Sequence, residues 1–204
     1  MLDIPPDAIP PTHLLVAHDG RGGPSVAYPT HDLLLAAHFS LLPPCPTPMP
    51  QPEGTQHRRD IILPYPPAFD VIREYIYTHS TLSLFDRLLR NRCTAVPASA
   101  SDFQNCASTF ANLGEMEIKR RAFAVWQVYA NGLHLGLVDG KFWHFLHLAS
   151  CLLARAFEIC READAEAQSP TETVVDDVDD VEEILSPLEL YHSCYEEPIT
   201  VEIR

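Results

Sequence analysis

Three side chains in the C-terminal half of the chain have the residue types and spacing of a metal site. His144, His147 and Cys151 lie at i, i+3 and i+7, so a helix would bring two imidazoles and a thiol to one face. A closed zinc site needs a fourth ligand and supporting hydrogen bonds, and His134 is the nearby candidate in sequence. The alternative is that these imidazoles pack among neighbouring aromatic rings of the same helix, those of Phe142, Trp143 and Phe145.

Other catalytic chemistry has no matching motif. The eight glycines form no G-x-S-x-G elbow and no phosphate-binding loop, and H-E-x-x-H does not occur. Six cysteines without a C-x-x-C pair are typical of thiols in a reducing compartment. These absences predict a non-catalytic protein that needs no cofactor.

Near the C-terminus, acids are interleaved with branched apolar residues. The segment that contains Val174, Val175, Asp176, Asp177 and Val178 resembles an acidic activation region or a SUMO-binding strand. In the strand form, the two adjacent valines would pair with a sheet edge while the acids meet a basic rim. The segment could also dock as a short helix, or it could be disordered and serve only solubility. We take these five residues as interaction candidates.

Three hydroxyls in the same part of the chain are candidate phosphorylation sites. Ser169 and Ser186 each precede a proline, and Thr173 has Asp176 three residues on. Added phosphate would deepen the negative field of this segment.

Charge divides the chain into a body and two ends. Residues 162–204 hold 14 acids and one base, whereas residues 1–161 hold 14 acids and 13 bases. A nearly neutral body disfavours direct binding of nucleic acid, because phosphate contacts need clustered positive charge. We expect a disordered Pro-rich arm at 1–12, a folded domain at 13–162 with a Pro-rich insertion at 43–60, and an acidic, disordered tail at 163–204.

Composition also bears on the compartment. Hydrophobic residues make up 46% of the 204, which is enough for a core, and no window approaches 18 consecutive apolar residues. The first residues carry acids and prolines where a signal peptide needs a basic start and an apolar run. We expect an intracellular protein that does not cross a membrane.

The pattern of the body, a few strands followed by helices, predicts an α+β fold. A hairpin is expected at 13–28. Thr30 is the expected cap of a helix that runs to Leu42, and apolar residues nearly all round this helix predict burial on several sides. A strand at Ile61–Leu63 follows, and a Pro-rich turn leads from it to the next helix.

That helix, at Ala68–Thr78, has a clear apolar face. Phe69, Ile72 and Ile76 recur at i, i+3 and i+7 and are expected in the core. The expected working surface is formed by its exposed polar neighbours Asp70, Arg73 and Glu74.

Four further helices are predicted. The apolar spacing of the third, Glu115–Ala130, places Trp126 and Tyr129 on its packed side. Lys119–Arg121 on this helix form either a solvated face or, with Arg58–Arg59, a weak basic patch. The four lie at Thr81–Arg90, from Ser101 or Asp102 to Gly114, at Glu115–Ala130, and from after Gly140 to about Ala163.

Residues 13–90 resemble the core of a BTB/POZ domain. The resemblance rests on His31 at the start of the first helix, on the sequence LAAH at Leu35–His38, and on Phe69 with Tyr75–Thr78. It implies a hairpin, a buried helix, a further strand and then the helix that carries the last motif. The long insertion at 43–60 departs from this pattern and puts a standard BTB dimer face in doubt.

Residues 13–160 as a whole resemble the clampless-type family of basidiomycete fungi. In that family a buried helix ends in a Pro-rich break, strand residues lead into a YIYT helix, and an NGL…LGLVD…W…LA region follows. Here that region comprises Asn131–Leu133, Leu135–Asp139, Trp143 and Leu148–Ala149.

The second resemblance implies a nuclear regulator of sexual development and clamp-cell formation. Such a protein would act through transcription-factor or other regulatory partners, with self-association as an option. Two alternatives stay open. One is a BTB-type substrate adaptor for a cullin ubiquitin ligase that uses the surface of Ala68–Thr78. The other is a metal-dependent enzyme that uses the face of His144, His147 and Cys151.

Overall fold

The computed structural model describes residues 10–42, 57–90 and 96–168. The fold is α+β, and these residues form a small mixed sheet of three strands and six α-helices. They divide into two compact units. The sheet unit takes the described residues up to His79 together with Trp126–Asp139, and the helical unit takes Ser80–Val125 with the described residues from Gly140 onward. No helix in the described ranges is long and apolar enough to span a bilayer.

The expected hairpin begins the sheet unit. Strand β1 (His13–His18) pairs antiparallel with β2 (Val26–Thr30), and Leu15 lies opposite Tyr28. Strand β3 (His57–Ile62) pairs with β1 in parallel, so the strand order is β2-β1-β3. Leu15 and Tyr28 are directly opposite each other, so their buried side chains lie on the same side of the sheet.

The prediction that the insertion extends to residue 60 is wrong for residues 57–60, which belong to β3. Arg58 and Asp60 pair with each other on the exposed side at 2.7 Å. Arg59 points the other way, where it is only 6% exposed, and it forms an ion pair with Asp32. The Asp32 carboxylate compensates the charge of the buried Arg59 guanidinium. The Arg58-Arg59 pair, which the sequence placed in a loop, can therefore lie in a strand.

Helix α1 (Asp32–His38) is shorter and more exposed than the sequence predicts. Leu35 is its buried residue, and Leu33 is 85% exposed. The helix stops four residues before Leu42 because Phe39 leaves it and forms an isolated bridge with Leu137. The expected cap is also wrong, since His31 occupies the N-cap position; its side chain makes no capping bond and instead contacts the Tyr77 hydroxyl at 2.8 Å.

Helix α2 (Phe69–Thr78) follows a short 3₁₀ turn at Pro66–Ala68 and confirms the predicted apolar face. Phe69, Ile72 and Ile76 are fully or almost fully buried, and so is Tyr75. The phenol of Tyr28 donates to the carbonyl of Pro66 at 2.9 Å, which ties β2 to the turn that starts this helix.

Helix α5 (Glu115–Leu135) runs past the Asn131-Gly132 pair that was expected to end it. Asn131 is buried, and its amide accepts from the Tyr65 N–H at 3.0 Å and donates to the Tyr65 carbonyl at 2.7 Å. The turn-forming residue is thus used as a bridge inside the helix. The helix ends at Leu135, just before Gly136, whose φ of +64° and close approach to Leu41 leave no room for a side chain.

The helical unit follows its sequence pattern, except that its last helix runs to Gln168. The prediction that the disordered tail begins at residue 163 is therefore wrong for residues 163–168. Helix α3 (Thr81–Leu89) begins at Ser80, whose hydroxyl accepts from the Ser83 N–H, and α4 (Ala100–Ala111) begins at Ser99 in the same way. Helix α6 (Gly140–Gln168) packs against both of them. The predicted core residues of α3 and α4 are buried: Leu84, Phe85, Leu88 and Leu89 in α3, and Phe103, Ala107 and Phe110 in α4.

One buried cation links three helices of this unit. Arg121 on α5 donates to the carbonyl of Leu89 at the end of α3 and pairs with Glu117 one turn earlier at 2.8 Å. Its guanidinium lies 5.6 Å from the ring centre of Phe110 on α4. Of the three basic residues 119–121, this one is therefore structural, and the solvated-face interpretation holds only for the other two.

Candidate functional site

The predicted working surface on α2 is tied into the sheet unit. Asp70 and Arg73 form an ion pair of 3.0 Å, and the Arg73 guanidinium lies 5.7 Å from the ring centre of Tyr28. Both side chains are partly buried, as is Glu74. The geometry therefore gives Asp70 and Arg73 a structural role in joining α2 to β2. Their part in binding a partner stays a prediction.

A different surface exposes three large apolar side chains of the sheet unit on one helix. On the last part of α5, Trp126 and Leu133 are each 52% exposed and Tyr129 is 36% exposed. The rings of Trp126 and Tyr129 stack with 5.7 Å between centres and 24° between planes. We call Trp126, Tyr129 and Leu133 the aromatic surface.

The aromatic surface corrects the predicted face of α5. The predicted Ile118 and Val125 are buried, together with Val128 and Leu135, but Trp126 and Tyr129, which the apolar spacing placed on the packed side, are exposed. Helix α5 has apolar residues on more than one face. Its sequence alone therefore does not determine which apolar stripe packs against the core. Large aromatic side chains at a surface are typical of protein contacts.

The sheet unit also contains a titratable cluster that the sequence pattern did not reveal: His38, Tyr75, His79 and Asp139. The Tyr75 hydroxyl donates to Asp139 Oδ2 at 3.1 Å, and His79 Nδ1 lies 3.9 Å from the same oxygen. The rings of His38 and His79 are 5.1 Å apart. These residues come from three separate segments, so no local spacing could have identified them.

The surroundings of His38 disfavour its protonated, positively charged form. Burial lowers the pKa of the His38 imidazole, the neighbouring His79 lowers it further, and Asp139 acts in the opposite direction. Burial followed by the charge of Asp139 raises the pKa of the Tyr75 phenol, so this group remains a hydroxyl donor. His79 ends α2 with a φ of +48°, a conformation that histidine adopts more readily than most residues.

The cluster joins α1 and α2 to Asp139, four residues after the end of α5, through one hydrogen bond and a close contact between imidazole rings. An acyl-transfer site would need a nucleophile hydrogen-bonded to an imidazole. Here the hydroxyl of Tyr75 donates to the carboxylate of Asp139 instead. The arrangement therefore fits a pH-sensitive packing contact better than covalent catalysis.

The predicted metal ligands lie on α6 in the helical unit. Cys151 Sγ is 3.6 Å from His147 Nε2, one turn away. His144 packs edge-on against Phe145, and burial, followed by His147, lowers its pKa. Within the described ranges, no group of three or more His, Cys, Asp or Glu side chains is arranged to hold a metal ion. His144 thus packs against a ring as the alternative interpretation expects, whereas His147 is exposed.

The remaining sequence candidates lie outside the described residues. These are Val174, Val175, Asp176, Asp177 and Val178, and the candidate phosphorylation sites Ser169, Thr173 and Ser186. The arm at 1–9, the insertion at 43–56 and residues 91–95 also lie outside.

Comparison with known proteins adds no relative: neither a family model, nor a curated protein, nor a solved structure matches this chain.

Proposed function

We propose that this chain is a non-catalytic protein-interaction module that resembles the clampless-type regulators of fungal sexual development. The observation that carries the proposal is the aromatic surface, formed by Trp126, Tyr129 and Leu133 on α5. Two large rings that stack while remaining in contact with solvent supply rigid apolar area at small entropic cost, as in the centres of protein interfaces. The partner would be a transcription factor or another regulatory protein in the nucleus.

The order of elements in the sheet unit supports the resemblance behind this proposal. A hairpin, a helix that starts after His31, a third strand and α2 follow one another as a BTB/POZ-like core implies. The matched aromatic residues of α2 are mostly structural, since Phe69 and Tyr75 are buried. Helix α5 offers an exposed apolar surface outside that motif.

An affinity purification from a basidiomycete host tests the proposal. The full-length chain is compared with the double variant Trp126→Ser/Tyr129→Ser and with Leu82→Ser. Leu82 is a matched control because it is also half-exposed, but it lies on α3 in the helical unit. We expect nuclear regulatory proteins to co-purify with the wild type and the control, and the double variant to lose them at least tenfold, about the effect of losing one hot-spot residue.

Thermal melts followed by circular dichroism establish that all three proteins are folded. A set of partners that is unchanged by the double substitution would contradict the role of the aromatic surface. An exclusively cytoplasmic protein would count against a nuclear regulator.

A second function, a BTB-type substrate adaptor for a cullin ubiquitin ligase, is supported by the same order of elements. It predicts that a cullin co-purifies and that Glu74→Lys on α2 reduces its recovery. Glu74 is suited to this test because Asp70 and Arg73 pair with each other, so changing them would also disturb the contact with β2. Absence of any cullin from the wild-type preparation would remove this candidate.

A further inference from the structure

The first part of α5, in the helical unit, carries an exposed face with apolar and cationic side chains. Met116 is 79% exposed and Phe123 is 53% exposed. Lys119 and Arg120 are exposed between them. The four residues lie at i, i+3, i+4 and i+7, so they share one side of the helix, and we call them the α5 basic face.

The two cations of this face flank its apolar pair. At 100° per residue, Lys119 and Arg120 lie on opposite sides of the line that joins Met116 to Phe123. Each cation pairs with an acid of its own helix, Lys119 with Glu115 and Arg120 with a second glutamate one turn earlier. Exposed pairs of this kind contribute little to stability, so both cations can exchange partners.

Helix α6 passes beside this face before it ends. The Lys119 ammonium lies 5.5 Å from the ring centre of Phe157 on α6, so α5 and α6 are neighbours at this level. From Phe157 the helix continues for eleven residues to Gln168, a rise of about 17 Å. The five residues 169–173 that follow can span about 17 Å when extended. Residue 174 is thus within reach of Lys119.

The sequence that begins at residue 174 has a complementary pattern. Val174, Val178, Val181 and Leu185 recur at i, i+4, i+7 and i+11, which is one stripe of a helix. Residues 174–185 contain six acids and no base. On a helix the acids lie off the stripe, and Asp177 and Glu182 fall on its two sides.

We propose that residues 174–185 bind the α5 basic face of the same molecule. The valines and Leu185 would cover Met116 and Phe123, while the flanking acids would meet Lys119 and Arg120. Both patterns have an apolar centre and charged flanks, and the flanks are opposite in sign. The linker length favours this chain's own tail over a separate partner, because tethering gives it a high effective concentration. The inference goes beyond the proposed function and does not depend on it.

Carbodiimide cross-linking of the full-length protein tests the contact directly. The reagent joins a lysine amine to a touching carboxylate, and the chain has two lysines, Lys119 and Lys141. We expect Lys119 to cross-link with acids of residues 176–183, as read by mass spectrometry of the digested protein. The link from Lys119 to Glu115 is the positive control, and Lys141 is the internal comparison. Links from both lysines to the tail with equal yield would overturn the proposal.

Mixing ¹⁵N-labelled and unlabelled protein at low concentration distinguishes the source of the tail. Links within one isotopic species support binding in the same molecule. Links between the two species would overturn it in favour of a second copy as the source. Absence of any link from Lys119 to residues 176–183 would also overturn it.

Two variants separate apolar docking from simple charge attraction. Val178→Asp/Val181→Asp adds acids but removes the stripe, and we expect the yield of the Lys119 links to fall about tenfold. An unchanged or higher yield would contradict the proposal. Phe123→Ser should have a similar effect, whereas the matched control Leu82→Ser, another half-exposed apolar residue of the helical unit, should not. Thermal melts exclude unfolding as the cause.

Discussion

The sheet unit and the helical unit use different kinds of polar contact. In the sheet unit, polar side chains bind groups that are distant in sequence, as in the pairs Asn131–Tyr65 and Tyr75–Asp139. In the helical unit most polar contacts span one turn, as in the serine caps and the ion pair between Arg155 and Glu158. A helix satisfies its own backbone, whereas the turns around a small sheet need side chains to do so.

This comparison indicates where stability depends on a single polar residue. A side chain that bridges distant segments leaves a buried backbone group without a partner when it is removed. When a side chain that bridges neighbours on an exposed helix is removed, water solvates the partner that remains. Equivalent substitutions should therefore have unequal effects in the two units.

Asn131→Ala should have the largest effect among these polar substitutions. It removes both contacts to the backbone of Tyr65, and we expect a loss of about 2–4 kcal/mol in the free energy of unfolding. Gln104→Ala is the control in the helical unit, since Gln104 accepts a long 3.5 Å bond from Arg155 and alanine favours the helix. Its effect should stay within about 0.5 kcal/mol.

Urea unfolding measures these differences, and hydrogen exchange by mass spectrometry locates them. Faster exchange in the sheet unit around Tyr65 is expected for Asn131→Ala. If the two substitutions had equal effects, the contrast between the units would not hold.

The same contrast explains how much of the fold was predictable. Apolar periodicity identified α3 and α4 and their core residues, such as Phe85 and Phe110, because their environment repeats with the helix period. In the sheet unit, Asn131 looked like a helix end and Arg59 looked like part of a loop. Each is determined by a partner far along the chain, and propensity contains no information about such partners.

The candidate site was less predictable than the fold. The metal spacing on α6 was visible in sequence, but residues that share a face do not make a site without ligands from other elements. The cluster of His38, Tyr75, His79 and Asp139 is formed from three segments and had no local signal. The aromatic surface was assigned to the packed side because α5 has two apolar stripes.

Tyr75→Phe should have the next largest effect. It removes the hydroxyl that donates to the Asp139 carboxylate, a charge-assisted bond whose loss costs about 1.5–3 kcal/mol. Tyr77→Phe is the matched control on the same helix. The Tyr77 hydroxyl accepts from the backbone N–H of His31 at 2.9 Å and lies 2.8 Å from Nδ1 of the same residue, but both contacts are exposed, so their loss should cost less than about 1 kcal/mol. If Tyr75→Phe and Tyr77→Phe lowered the free energy of unfolding in urea equally, burial would not explain the strength of these two hydrogen bonds.

The pH dependence of stability should involve one histidine in each unit. Burial lowers the folded-state pKa of both His38 and His144 below the unfolded value of 6.5. The unfolded chain then binds protons more readily, so stability is retained above pH 6.5 and falls as the pH drops toward the folded pKa. His38→Gln and His144→Gln should each flatten this fall.

Unfolding curves at several pH values between 5 and 8 check this sign. In the sheet unit the groups that face His38 are His79, which opposes its charge, and Asp139, which favours it. Asp139→Asn should therefore make the fall steeper, provided that the variant is folded. A stability that rises on acidification through this range would contradict the assignment.

Glu162→Gln should have the smallest effect. Arg155 Nη1 lies 3.2 Å from Glu162 and 3.1 Å from Glu158, so the guanidinium keeps one carboxylate when the other is neutralised. Glu162 is mostly exposed, and a pair in water contributes little because the charges are already solvated. We expect a loss below about 0.5 kcal/mol, which salt near 1 M should abolish by screening. A loss above about 1 kcal/mol would show that the helical unit also depends on charge networks, and the contrast with the sheet unit would have to be abandoned.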